Sequence, residues 1–160
     1  MSPCVGCITP FFDQKQSGKG VINVTGKCKD KVRHELRGRI ADIRKLWRLY
    51  CKDPDAYDEE LGRFDEYGLC FDYVPRDTFS DQKRGFFRWQ LSWGGPQDEF
   101  RFYTDENLDP YEIEYWYLDW FDGAGVKLGG RDHELLAEIF GDFKEMGAVE
   151  AERKKALIDC

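Results

Sequence analysis

Phe86-Phe-Arg-Trp-Gln-Leu-Ser-Trp93 alternates by side-chain class: Phe87, Trp89, Leu91 and Trp93 fall on one side, Arg88, Gln90 and Ser92 on the other. A period of two is that of a β-strand with one face buried. Gly94-Gly-Pro96 then reads as a turn, and Glu99-Phe-Arg-Phe-Tyr103 as the strand returning beside the first. The centre of the chain is therefore an antiparallel pair, and the rest is read outward from it.

Downstream, the polar stretch Thr104 to Pro110 is a turn leading into Tyr111–Phe121. There Ile113, Tyr115 and Tyr117 oppose Trp116, Leu118 and Trp120, which predicts an interior strand apolar on both faces. Asp122-Gly-Ala-Gly125 reads as a turn. Asp132 is placed to cap a last helix carrying Leu135, Leu136, Ile139, Phe140, Phe143 and Met146. Gly147 interrupts it, and 150–158 continues as a further helical piece. Upstream, Leu69–Val74 is a short strand ending at Pro75, preceded by an acidic loop over 53–66.

From Asp30 to Lys52 the period changes. Val32, Leu36, Ile40, Ile43, Trp47 and Tyr50 are three or four residues apart, one stripe of a long helix that Pro54 stops. Arg33, Arg37, Arg44 and Arg48 lie close together on its wheel as a basic ridge flanking that stripe. Val21–Thr25 is a β-branched run that predicts one more strand, and residues 1–20 read as a loosely ordered arm. The expected fold is one α+β domain over residues 1–160: an antiparallel meander sheet of about five strands, with a long N-terminal helix and a C-terminal helix packed on it.

Charge divides sharply along this chain of net −7. Residues 1–52 hold twelve Lys and Arg against four Asp and Glu, whereas residues 53–122 hold six against nineteen. That acidic segment also holds most of the aromatic residues. Carboxylates on strands and turns with tyrosines among them suit an Arg- or Lys-lined groove, through fast, salt-dependent association and aromatic anchoring. The expected partner-binding set is Asp98, Glu99, Tyr103, Asp105, Glu106, Asp109, Tyr111, Glu112 and Glu114. The alternative is phosphate binding by Arg33, Arg37, Arg44 and Arg48, whose guanidinium forks fit phosphate oxygens. Net negative charge disfavours direct nucleic-acid binding, and pairing of the ridge with the protein's own acids competes with both readings.

Cys4 and Cys7 form a CxxC pair which, with Cys28 and His34, has the donor chemistry of a zinc staple. The competing reading is ordinary reduced thiols, since six cysteines in 160 residues are too sparse for a disulfide scaffold. No cofactor is expected apart from that zinc. No nucleophile–base set, zinc-protease pair or phosphate loop is recognisable, so no catalytic residue is assigned and a non-enzymatic role is expected. A glycosidase-like pair such as Glu112 with Asp119 or Asp122 is expected by chance in so acidic a segment. The N-terminal residues lack a basic start and an apolar run, and no stretch reaches membrane-spanning length, so a cytoplasmic location without membrane contact is expected.

The block from Phe86 to Tyr103, with Ile113-Glu-Tyr-Trp-Tyr-Leu-Asp-Trp-Phe-Asp-Gly-Ala124, resembles small proteins carried by phages and conjugative elements of bacteria. Acidic proteins of that group include anti-CRISPR and anti-restriction inhibitors, to which this chain is similar in size and charge. The resemblance covers the middle third of the chain and rests on no catalytic motif. It implies host-defence evasion inside a bacterial host cell, by binding a nucleic-acid-processing effector such as a CRISPR complex. The basic first helix departs from a uniformly acidic surface, which leaves room for a mixed surface or a homodimer.

Overall fold

The computed structural model describes residues 26–158. Helix α1 (Gly26–Tyr50) precedes strands β1 (Cys70–Val74), β2 (Phe86–Gln90), β3 (Gln97–Thr104), β4 (Pro110–Asp119) and β5 (Asp122–Lys127). Helices α2 (Gly130–Glu145) and α3 (Ala148–Ile158) follow. The strands lie in chain order, each antiparallel to the next. The chain is thus an α+β meander with all three helices packed on one face of the sheet. The predicted strand at 21–25 and arm at 1–20 lie outside the described residues.

The core is aromatic. Phe71, Phe87, Trp89, Phe100, Phe102, Ile113, Tyr115 and Tyr117 alternate inward from β1 to β4. Helix α2 drives Phe140 against Phe102 at 4.9 Å and Phe87 at 5.5 Å, and Phe143 against Phe71 at 5.0 Å. Helix α1 buries Val32, Ile40, Ile43 and Trp47 of the stripe its spacing predicts, half-buries Leu36 and Tyr50, and adds Leu46, which lay outside that stripe. Trp47 packs on Phe64, which a single 3-10 turn (Phe64–Glu66) presents from the acidic loop. Gly147, at φ +79, separates α2 from α3.

Three local expectations are corrected. Asp122–Gly125, expected as a turn, opens β5, and the turn is the preceding pair, Trp120 and Phe121. The glycine is a slot, not a breaker: a Cβ at Gly125 would lie 2.6 Å from the Trp116 ring that crosses it. Strand β2 ends at Gln90, so Trp93 leaves the buried face and is 51% exposed. Asp132 does not cap α2; Gly129 occupies that position, and Asp132 in the first turn pairs with Arg44 instead.

Candidate interaction surface

The expected acidic set divides between the two faces and one end of the sheet. Asp98 points under α1, is 3% exposed and is satisfied on every side. Arg39 donates to its carboxylate through Nε at 2.7 Å and Nη2 at 3.0 Å; Tyr115 donates at 2.7 Å, and the Ser92 hydroxyl donates as well. Burial, then the charge on Asp98, pushes the Tyr115 hydroxyl well above its ordinary pKa. Burial alone would lower the Arg39 value, but the bonds to Asp98 and Tyr67 outweigh it and the net shift is upward.

Glu99, Tyr103, Glu112 and Glu114 lie on the face away from the helices. Arg88, Arg101, Glu114 and Lys127 are in register across β2 to β5, with Asp72 of β1 opposite Arg88. These charges are knitted together. Arg88 grips Asp72 through two bonds, 2.9 and 2.6 Å, and Arg101 donates to Glu99 at 2.7 Å. The Arg101 guanidinium lies between rings, 4.7 Å from the Phe86 centroid and 4.3 Å from that of Trp116. Tyr103 at 3.2 Å and the Trp116 indole at 2.8 Å both donate to Glu114. Burial, then Glu114, pushes the Tyr103 hydroxyl up to about 12. Glu112 is held below its ordinary value by Lys127 and then Arg84.

Asp98 and Glu99, with Tyr103, are therefore corrected as contact residues: they are buried, and the two carboxylates are neutralised by the protein's own arginines. Lone carboxylates cannot be kept on a packed sheet face, so the fold supplies a cation for each. Glu112 and Glu114 are likewise engaged internally, and Tyr111 is exposed but takes a bond from Arg84. Within the expected set, the acids that stay outward are those of the β3–β4 turn. There Asp105 accepts from the backbone of Asn107 and Asp109, Glu106 is exposed, and Asp109 pairs with Lys144.

Of the basic ridge, Arg33, Arg37 and Arg48 are exposed and Arg44 pairs with Asp132 at 2.8 Å. The arginine that anchors α1 to the sheet, Arg39, was not among those singled out. Its signal was present: Arg39 is three residues after Leu36 and four before Ile43, inside the apolar stripe, where a cation requires a buried acid. Of the zinc set, Cys4 and Cys7 lie outside the described residues. Cys28 is buried in the core, its thiol pushed up to about 11 by burial and then Asp122, while His34 is exposed on another side of the helix. Cys28 and His34 do not converge, and among the described residues no three His, Cys, Asp or Glu side chains gather as a metal site. Glu112 and Asp119 sit seven residues apart along β4, about 23 Å, too far to act as a carboxylate pair.

What sequence reasoning missed is the other end of the sheet. Trp120 and Phe121 form the two-residue tip of the β4–β5 hairpin, exposed by 68% and 85%. Trp120 sits in the left-handed region at φ +52, and its ring lies against the β2–β3 turn, where a Cβ on Gly95 would come within 2.7 Å of its Nε1. Trp93, from the same turn, and Leu69, bonded to Gln90, add exposed apolar surface at this end. Asp119, the last residue of β4, flanks the tip, and its charge and that of Glu35 on α1 both act on Tyr117.

Comparison with known proteins finds no match among family models, curated proteins or solved structures. Among the described residues no helix is long and apolar enough to cross a membrane.

Proposed function

We propose that this protein is a non-catalytic inhibitor or adaptor that binds a nucleic-acid-handling protein, its contact surface being the acidic and aromatic end of the sheet around Trp93, Trp120 and Phe121. One observation carries the reading: Trp120 holds a left-handed backbone at a position that glycine occupies at little cost, and presents its ring outward. Strain of that kind costs of order 1–3 kcal/mol and collects where presentation of a side chain matters. Tryptophan is the residue type most enriched among binding hot spots. Asp119 gives the aromatic tip a negative neighbour, suited to a basic groove of the kind that holds nucleic acid. The mobile-element resemblance supplies the partner class, a CRISPR or restriction effector in a bacterial cytoplasm.

Tagged protein expressed in a bacterial host carrying such an effector tests this, with the complex then rebuilt from purified components. Binding is expected to be lost in Trp120→Ser/Phe121→Ser and kept in Asp105→Lys/Glu106→Lys, with both variants folded by circular dichroism. The reverse result would return the contact to the β3–β4 turn. Unchanged binding in both variants would remove the proposal.

A further inference from the structure

The first helix carries a second feature, independent of the aromatic end. Arg33, Arg37 and Arg44 line one wall of a hollow of about 340 Å³ between α1 and the start of α2. The three lie within about 40° of one another on the helix, so their guanidinium groups share a side. Ala41, between Arg37 and Arg44, leaves the gap, and Leu36 with Ile40 gives it an apolar floor. Asp132, in the first turn of α2, closes the far side and accepts from Arg44 at 2.8 Å.

What marks this hollow is that three arginines of one helix side line it together. Acids outnumber bases 31 to 24 in the chain, and Arg39, Arg63, Arg84, Arg88 and Arg101 each hold a carboxylate of the protein. Yet no hydrogen bond or ion pair joins Arg33 or Arg37 to any described residue, although both line a concave wall. Two guanidiniums without a partner among the described residues remain there, beside a third already shown to hold a carboxylate. The first turn of α2 adds the positive end of a helix whose cap, Gly129, makes no side-chain capping bond. The volume falls at the lower end of small-molecule sites, roughly 300–1,000 Å³.

We infer that this hollow binds a small organic phosphate, with the phosphate held by Arg33, Arg37 and Arg44 and the organic part on Leu36 and Ile40. Guanidinium forks match two phosphate oxygens at once, and the apolar floor favours an ester over the bare ion. Asp132 is the intramolecular competitor: an incoming phosphate takes its place on Arg44.

Calorimetric titration of the full chain with adenosine monophosphate, and separately with inorganic phosphate, tests the assignment. The nucleotide is expected to bind saturably and more tightly than phosphate. Arg37→Ala and Arg33→Ala, both on an exposed helical face, should each weaken it about tenfold, the worth of a charge-assisted bond. Asp132→Asn should strengthen it about threefold by freeing Arg44, whereas a merely structural ion pair would give no gain in affinity. Absence of saturable binding, equal affinity for the two probes, or arginine variants that bind like wild type would each overturn the inference. So would tighter binding of a hexaglutamate peptide, which would identify the hollow as a docking point for an acidic protein segment.

Discussion

Arg39 and Asp98 form a two-bond ion pair that ties the middle of α1 to the start of β3, 59 residues away, with Nε to Oδ2 at 2.7 Å and Nη2 to Oδ1 at 3.0 Å. Asp98 is nearly fully buried and Arg39 is about a quarter exposed, so water does not replace the missing partner at the acid's end. Arg39→Ala is expected to destabilise the fold by about 3 kcal/mol, because it leaves an uncompensated buried carboxylate. Asp98→Ala should cost no less, since it also strips the Tyr115 hydroxyl and Ser92 of their acceptor. Urea denaturation measures both. A loss under 0.5 kcal/mol, of the order of a surface substitution, would mean that Asp98 behaves as a surface acid and is available to a partner.

The same pair shows which features of this fold are visible in the sequence. Periodicity exposed the strands and helices because burial repeats every two or about 3.6 residues, and the core of Phe87, Trp89, Ile113, Ile43 and Phe140 follows directly from it. Charge balance did not reveal the surface, because a net of −13 over residues 53–122 does not distinguish outward acids from those paired across the sheet. Asp98 and Glu99 read as surface by composition, yet their partners, Arg39 and Arg101, are set by register and helix placement. The hairpin tip was hidden for a different reason. Trp120 continues the alternation of β4, so nothing in its spacing announced that the chain reverses there.

Gly125→Ala tests the slot on the face away from the helices. A Cβ there would sit 2.6 Å from the Trp116 ring, which is held by its bond to Glu114 and by stacking on Arg101. The ring cannot swing aside without releasing both contacts. The variant is expected to lose about 1–3 kcal/mol, the usual cost of overpacking. Its thermal unfolding should fall in step, with Trp fluorescence altered in the native baseline. An unchanged melting temperature would mean that the lattice of Arg101, Trp116 and Glu114 is looser than its distances imply.

Trp120→Gly separates folding from binding. The substitution removes the left-handed strain of a bulky residue, worth about 1–2 kcal/mol, and gives up only the contact of an exposed ring with Gly95. Stability is expected to stay level or rise by up to about 1 kcal/mol while partner binding is lost. A variant that melts much earlier would show that the ring is a structural clasp between the two turns and not a presented anchor.

Glu112 gives the pH dependence a definite sign. Lys127 at 2.5 Å, then Arg84 at 2.6 Å, holds its folded-state pKa below the ordinary glutamate value of about 4.3. A depressed folded value means the unfolded chain binds the proton more readily. The contribution is therefore complete above the ordinary value and disappears as pH falls through the depressed one. Both cations are largely in water, which limits the gain to about 0.5–1 kcal/mol. Glu112→Gln should be less stable than the unmodified protein by that amount at pH 7, and the two should converge as the pH falls through the depressed value. Melting temperatures followed from pH 7 downward track the difference, and a gap that does not narrow with acidification would assign the loss to packing and not to charge.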